Sequence, residues 1–300
     1  MRINMNFKSG FISILGRPNV GKSTLLNVLI NQKIAITSHK PQTTRNKIIG
    51  ICHEQDAQYI FLDTPGINTY KHLLNQKMNH IAFQSISDAD VILFLTDSLY
   101  QPQEEFLLKT IFTKLKSNLK AIFLVVNKID CFKQQNQIDA IILSYLKHFP
   151  FQNVIPLSAI KGQNLDKLKS TILQNIPLGV PYYPKDMITD QKKEFLISEI
   201  IREKILYYVH EEIPHSAAVI IEKIEKKTKV LIEIWAVILV ERSSQKKILI
   251  GSQGTKLKQI GTDARKELNA HLNLKTHINL WVKVKPNWRN QKEELNRFGY

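Results

Sequence analysis

The chain has 300 residues, 43% hydrophobic and 23% charged, the balance of a folded protein long enough for two ordinary domains. No apolar run approaches the roughly 18 residues of a membrane span, the opening MRINMNFKSG lacks the apolar centre of a secretory signal, and two cysteines, Cys52 and Cys131, exclude a disulfide framework. The net charge of +16 is densest from Arg242 to Tyr300, where 13 basic residues meet 4 acidic ones, so a polyanion is the expected partner and a reducing cytoplasm the expected compartment.

Short β-rich apolar runs predict strands at Phe11–Leu15, Gln58–Leu62, Val91–Leu95, Ala121–Val126 and Val154–Pro156. Helical spacing lies between them, as at Lys22–Ile30 and Asn164–Asn175. The alternation predicts an α/β domain over 1–178, with a mostly parallel sheet covered by helices on both faces. Ligands of such sheets sit at the carboxyl ends of the strands, so chemistry is expected in the turns that follow them. A linker over 179–188 comes next, stiffened by Pro181 and Pro184. Thr189 or Asp190 is then expected to cap a helix running to about His210. Strands are expected at Ala217–Ile224, Val230–Val240 and Lys247–Ile250, followed by a glycine pair, a basic helix and a last strand at Thr276–Val284. Residues 189–300 therefore form a second, smaller α+β domain.

Directly after the first strand stands Gly16-Arg17-Pro18-Asn19-Val20-Gly21-Lys22-Ser23, the pattern G-x-x-x-x-G-K-S in its strand–loop–helix setting. Its glycines let backbone N–H groups curl inward on phosphates, and the helix N-terminus adds its positive dipole end. Lys22 is placed for the β and γ oxygens, and the Ser23 hydroxyl for Mg²⁺. The second strand ends in Asp63-Thr64-Pro65-Gly66, with Asp63 reaching Mg²⁺ through water and the Gly66 N–H sensing a γ-phosphate. Asn127-Lys128-Ile129-Asp130 follows the fourth strand and Ser158-Ala159 the fifth. A carboxylate at Asp130 accepts from guanine N1–H and N2–H, where adenine offers no matching donors. The Ala159 N–H is expected to meet guanine O6. The ligand read from these strand ends is GTP or GDP.

Between the first helix and Asp63 lies a loop with Gln42, Thr43, Thr44, Arg45 and Asn46, in which a threonine should close on Mg²⁺ and the γ-phosphate. Thr43 and Thr44 both qualify. Where Ras-like enzymes carry a water-orienting glutamine, this chain has Ile67, which cannot polarise water. Slow turnover, suited to a switch, is the expectation.

These five segments resemble the signature motifs of translation-factor-class GTPases, and GRPNVGKSTLLN with QTTR is most similar to the Era family. In related GTPases an asparagine at the place of Asn19 helps hold K⁺ near the phosphates; the other reading of Asn19 is that it only shapes the loop. In the C-terminal half, Gly251-Ser252-Gln253-Gly254, with a strand expected before it and a helix carrying Lys256, Lys258, Arg265 and Lys266 after it, looks like the GxxG turn of a type II KH module. Many family members carry a basic residue inside GxxG, where this chain has Ser252 and Gln253; Lys246, Lys247, Lys256 and Lys258 are placed to compensate. Trp235 and Trp281 fall in strands and are expected in the core, leaving Trp288, in the polar tail beside Arg289, as the tryptophan expected to contact RNA or a partner.

The resemblance implies a Mg²⁺-dependent GTPase, monomeric, whose KH domain binds the 3′ end of 16S ribosomal RNA in assembly of the 30S subunit. It also implies peripheral association with the inner membrane. The alternative is a signalling GTPase whose basic domain docks on anionic membrane.

Overall fold

The computed structural model describes residues 6–67, 72–100, 105–116 and 120–300. It divides into two compact units. The first comprises the described residues of Met1–Ala35, Thr44–Lys71 and Asn75–Asp190; the second comprises Ile36–Thr43, His72–Leu74 and Gln191–Tyr300.

The first unit runs β1 (Lys8–Gly16), α1 (Lys22–Ile30), β2 (Ile48–His53), β3 (Ala57–Asp63), α2 (Leu73–Asp88), β4 (Val91–Thr96), α3 (Glu105–Lys116), β5 (Ala121–Val126), α4 (Gln135–Leu146), β6 (Asn153–Pro156) and α5 (Leu165–Asn175). The sheet order is β2-β3-β1-β4-β5-β6. All pairs are parallel except β2 with β3. Strands β3 and β4 are buried along their whole length, as a sheet covered on both faces requires. Helix α1 buries Leu25, Leu26 and Leu29. A cluster containing Phe94, Phe112, Leu124, Ile138 and Tyr145 forms another part of the core. The chain reverses direction across the sheet on either side of β1, and a ligand crevice is expected at that point.

Strand β2 is not among the expected strands. Gly50 interrupts its apolar run, and its place is set by antiparallel pairing with β3. Residues 179–190 group with the first unit. The Gln58 side chain accepts from the N–H groups of Tyr182 (2.8 Å) and Tyr183 (3.0 Å), and the Ile51 N–H donates to the Ile188 carbonyl (2.8 Å). That extended course carries the backbone past Thr189 and Asp190. The next helix, α6 (Lys193–Tyr208), accordingly starts after Lys192 with no side-chain cap, instead of from Thr189 or Asp190.

The second unit continues with α7 (Ile213–Ser216), β7 (Ala218–Lys226), β8 (Leu231–Val240), α8 (Ser243–Ile250), α9 (Thr255–Leu272), β9 (Lys275–Val284) and α10 (Lys292–Arg297). Its sheet order is β7-β8-β9, antiparallel then parallel. Alternate residues of β8 (Ile232, Ile234, Ala236, Ile238, Val240) join Ile200 and Ile201 of α6 and Ile260, Ala264 and Leu268 of α9 in one core.

Two expectations fail in this unit. The strand predicted at Lys247–Ile250 is the last turn of α8. Gln245 Oε1 accepts from the N–H groups of Glu241 (2.9 Å) and Arg242 (3.0 Å), and Gln245 and Leu249 are buried one turn apart. A four-residue apolar run is too short to separate the helical from the strand period. The tryptophans are also exchanged. Trp288 is fully buried, donates from Nε1 to the Ser216 carbonyl (2.9 Å) and stacks on Tyr300, whereas Trp281 is 45% exposed and Trp235 is half-buried. The tail folds back on its own unit, and its indole fills the core.

Candidate functional site

The loop after β1 leads into α1 through Gly21, whose φ of 96° lies in the left-handed region. A Cβ there would stand 2.3 Å from Asn127 Nδ2, so the loop and the Asn127 segment touch only because the residue is glycine. Lys22 is buried beneath the loop and donates from Nζ to the carbonyls of Arg17 (2.8 Å) and Gly16 (3.3 Å). Burial pulls its pKa down to about 8, against the opposing pull of Asp63 and Asp97. Pro18 and Asn19 form the outer rim. Asn19 is exposed with φ 66°. Val20 is buried, and its carbonyl accepts from Asn127 Nδ2 at 2.8 Å.

Ser23, Thr44 and Asp63 converge below this loop. Ser23 Oγ donates to Asp63 Oδ2 at 2.6 Å and lies 2.7 Å from Thr44 Oγ1, which itself lies 3.4 Å from the same carboxylate oxygen. The two threonines face different neighbours. Thr43 Oγ1 donates to the Lys40 carbonyl at 2.7 Å, and the Thr43 carbonyl accepts from Arg202, so Thr43 belongs to the second unit. Gln42 takes a left-handed turn (φ 61°) just before it, Arg45 is buried and Asn46 half-buried.

Asp63 is fully buried, and burial pushes its pKa up to about 6, ahead of the lowering by Lys22 and by the Ser23 and Thr44 hydroxyls. Among the described residues its Oδ1 has no hydrogen-bond partner. A buried carboxylate with one orphaned oxygen, flanked by two hydroxyls, is short of positive charge and offers hard oxygen donors. That set fits Mg²⁺, which binds through one or two carboxylates and keeps much of its water. Thr64, Pro65, Gly66 and Ile67 follow, all buried, and the Thr64 hydroxyl is tied to the Ile14 carbonyl at 2.9 Å.

At the ends of β5 and β6 the Asp130 carboxylate is exposed and accepts from Ser158 Oγ at 2.5 Å. That bond is the main cause of a pKa below the usual carboxylate range, so Asp130 is an acceptor-only group at neutral pH. The Ala159 N–H, expected to meet guanine O6, donates to Asn127 Oδ1 at 3.1 Å. Asn127 thus clamps the phosphate loop to the Ser158–Ala159 turn. Ile129 is buried behind it. Lys128 does similar work from the surface, donating to the Asn19 carbonyl and to Asp97 Oδ2, both at 2.7 Å. Asp97 was not among the expected residues, yet it directly follows β4 in Thr96-Asp97-Ser98, a strand end of the kind already singled out.

In the second unit Gly251 closes α8, Ser252–Gly254 make one tight turn, and α9 begins at Thr255. Gly251 and Gly254 both have φ 77° and Gln253 has φ 47°. Ser252 and Gln253 are exposed at the tip, as are Lys247, Lys258 and Arg265, while Lys246 and Lys256 are half-buried. A helix, rather than the expected strand, leads into the turn, so helices flank it on both sides.

Comparison with known proteins agrees with both halves. A family described as "50S ribosome-binding GTPase" matches residues 11–128, and one described as "KH domain" matches residues 212–289. The chain is therefore of the class of P-loop GTPases that carry a KH module. It is 45% identical over 297 residues, 98% of this chain and 99% of the relative, to GTPase Era of Clostridioides difficile (strain 630). Two solved structures superpose with a TM-score of 0.93 at 41% identity, each covering 98% of this chain and 99% of its own: a single-residue variant of Aquifex aeolicus Era bound to GDP and aluminium fluoride, and Era in complex with MgGDPNP and nucleotides 1506–1542 of 16S ribosomal RNA. This chain belongs to the Era family of GTPases.

Proposed function

We propose that this GTPase binds GTP and GDP with Mg²⁺ and uses hydrolysis as a switch on RNA binding. The RNA is the 3′ end of 16S ribosomal RNA, gripped by the KH module during 30S subunit assembly and 16S rRNA processing. The observation that carries the nucleotide half is the buried Asp63 carboxylate, with its orphaned Oδ1 and its two hydroxyl neighbours. Lys22 supplies charge to the β and γ oxygens, while Ser23, Thr44 and Asp63 hold the cation. Mg²⁺ held there would supply positive charge against that developing on the phosphate oxygens. Ile67, buried and apolar, contributes no side-chain hydrogen bond to water, so orientation of the attacking water falls to backbone groups. The RNA half is supported by the GxxG turn and by a 41%-identical Era structure solved with a 16S fragment.

The experiment is a pair of substitutions. Thr44→Ala should lower Mg²⁺-dependent GTP hydrolysis on the order of 100-fold, the size of effect seen on removing one transition-state donor, and Thr43→Ala should leave it near the parental rate. Equal losses in both would overturn the assignment of Thr44 to the cation.

We further propose that Asn19 lends a side-chain oxygen to K⁺ beside the phosphates. Its exposed, left-handed position on the loop rim supports this. GTP hydrolysis should be faster in K⁺ than in Na⁺, and Asn19→Ala should lose that difference while still binding nucleotide. Equal rates in the two salts for the parent protein would leave Asn19 as a loop-shaping residue. The protein is proposed to act as a monomer in the cytoplasm, with peripheral attachment to the inner face of the membrane through its basic surface. Among the described residues no helix is long and apolar enough to cross a membrane.

A further inference from the structure

Helices α6 and α9 cover one face of the β7-β8-β9 sheet. The other face carries the odd-numbered residues of β8 and β9, among them Trp235 and Trp281. Trp281 is directly opposite Val237, and Trp235 is paired with Lys223 on one side and Asn279 on the other. Between the two indoles lies a hollow of about 480 Å³, lined by Glu222, Lys223, Trp235, Trp281 and Lys283. Lys223 and Lys227 stand over the Trp235 ring at 5.1 and 5.6 Å, leaving Trp281 as the open indole.

A tryptophan 45% exposed in the middle of a strand leaves a large apolar surface in water. Its surroundings say what covers it. The side chains of Lys223 and Lys283 are each 60% exposed and that of Lys227 is 41% exposed. Their partners, Glu222, Glu225 and Glu233, form surface ion pairs, which contribute little and exchange readily for other anions. Lys226, Lys229 and Lys275 add further exposed cations around the same sheet. Aromatic rings ringed by exposed cations are the chemistry of a stacking platform for single-stranded nucleic acid.

We propose that this outer sheet face is a second single-stranded RNA site, in which a base stacks on Trp281 and the adjoining phosphates meet Lys283 and Lys223. The inference rests on the reading of this unit as RNA-binding and extends it. The GxxG turn holds the backbone of about four nucleotides. Strand β9, which carries Trp281, is an edge strand whose inner face shares a core with α9, the helix that begins directly after the GxxG turn.

The test uses the full chain and two single-stranded RNAs with the same core, one of about 6 nucleotides to fill the GxxG groove and one of about 16 to extend beyond it. The parent should bind the longer RNA about tenfold more tightly, the scale of one stacked base. Trp281→Ala should remove that gain without changing affinity for the short RNA, and Trp281→Phe should keep most of it. Gly254→Asp, read on the short RNA, tests the GxxG grip separately, so failure of one assignment is not failure of the other. The same long-to-short ratio in Trp281→Ala as in the parent would overturn the proposal. So would sedimentation showing that Trp281→Ala abolishes a dimer of the parent, because the face would then belong to a second copy of the chain.

Discussion

Asp130→Asn is expected to lower GTP affinity by on the order of 100-fold or more while improving xanthosine triphosphate relative to GTP. The carboxylate is exposed and held by Ser158 Oγ, a bond that keeps it charged and aimed. Two charge-assisted hydrogen bonds to guanine N1–H and N2–H, at about 1.5–3 kcal/mol each, account for that loss. The amide keeps the shape and can still accept from Ser158, so the loop should stay in place. It also presents a donor, which suits the extra oxygen of xanthine and faces the guanine amino group badly. Titration of fluorescent GTP and XTP analogues against parent and variant measures both effects. Unchanged GTP binding in the variant would remove Asp130 from the base site.

Gly254→Asp is expected to abolish most single-stranded RNA binding and leave GTP binding intact. Gly254 has φ 77°, and a Cβ built on it meets nothing within 4 Å, so the new side chain projects into open space. The left-handed backbone costs a non-glycine residue roughly 1–2 kcal/mol, and aspartate tolerates it better than most. The fold should therefore survive with a small drop in melting temperature. The carboxylate lands where the turn must approach sugar and phosphate. Like-charge repulsion at an interface costs several kcal/mol, so affinity for a 16S 3′-end oligonucleotide should fall on the order of 100-fold. Binding by the parent should also weaken steeply with salt, as expected when several phosphates are neutralised. Circular dichroism and thermal melting separate this from unfolding. A folded variant with parental RNA affinity would sink the role assigned to the GxxG turn.

The nucleotide motifs were legible because each is local. A phosphate loop needs glycines and a lysine within eight residues of a strand, and base recognition needs a carboxylate just past another strand. Linear spacing records such demands directly. The GxxG turn is legible for the same reason, although the apolar run leading into it has the look of a strand and folds as the end of a helix. The missed edge strand β2 shows the limit of this reading, since its pairing with β3 is a long-range fact and its apolar run is broken by Gly50.

What sequence alone determined was the chemistry of the groups proposed for phosphate, cation and guanine. Only the tertiary structure decided which neighbours they face. Thr43 and Thr44 are equivalent as letters, but their side chains leave the backbone in different directions, one toward the Lys40 carbonyl and the other toward Ser23 and Asp63. The three tryptophans were likewise sorted by packing. A polar tail folded back to bury Trp288 against the Ser216 carbonyl, and the alternation of β9 turned Trp281 to the face away from the helices. Residue type sets what a side chain can do, and the side of an element on which the folded chain places it sets what it meets.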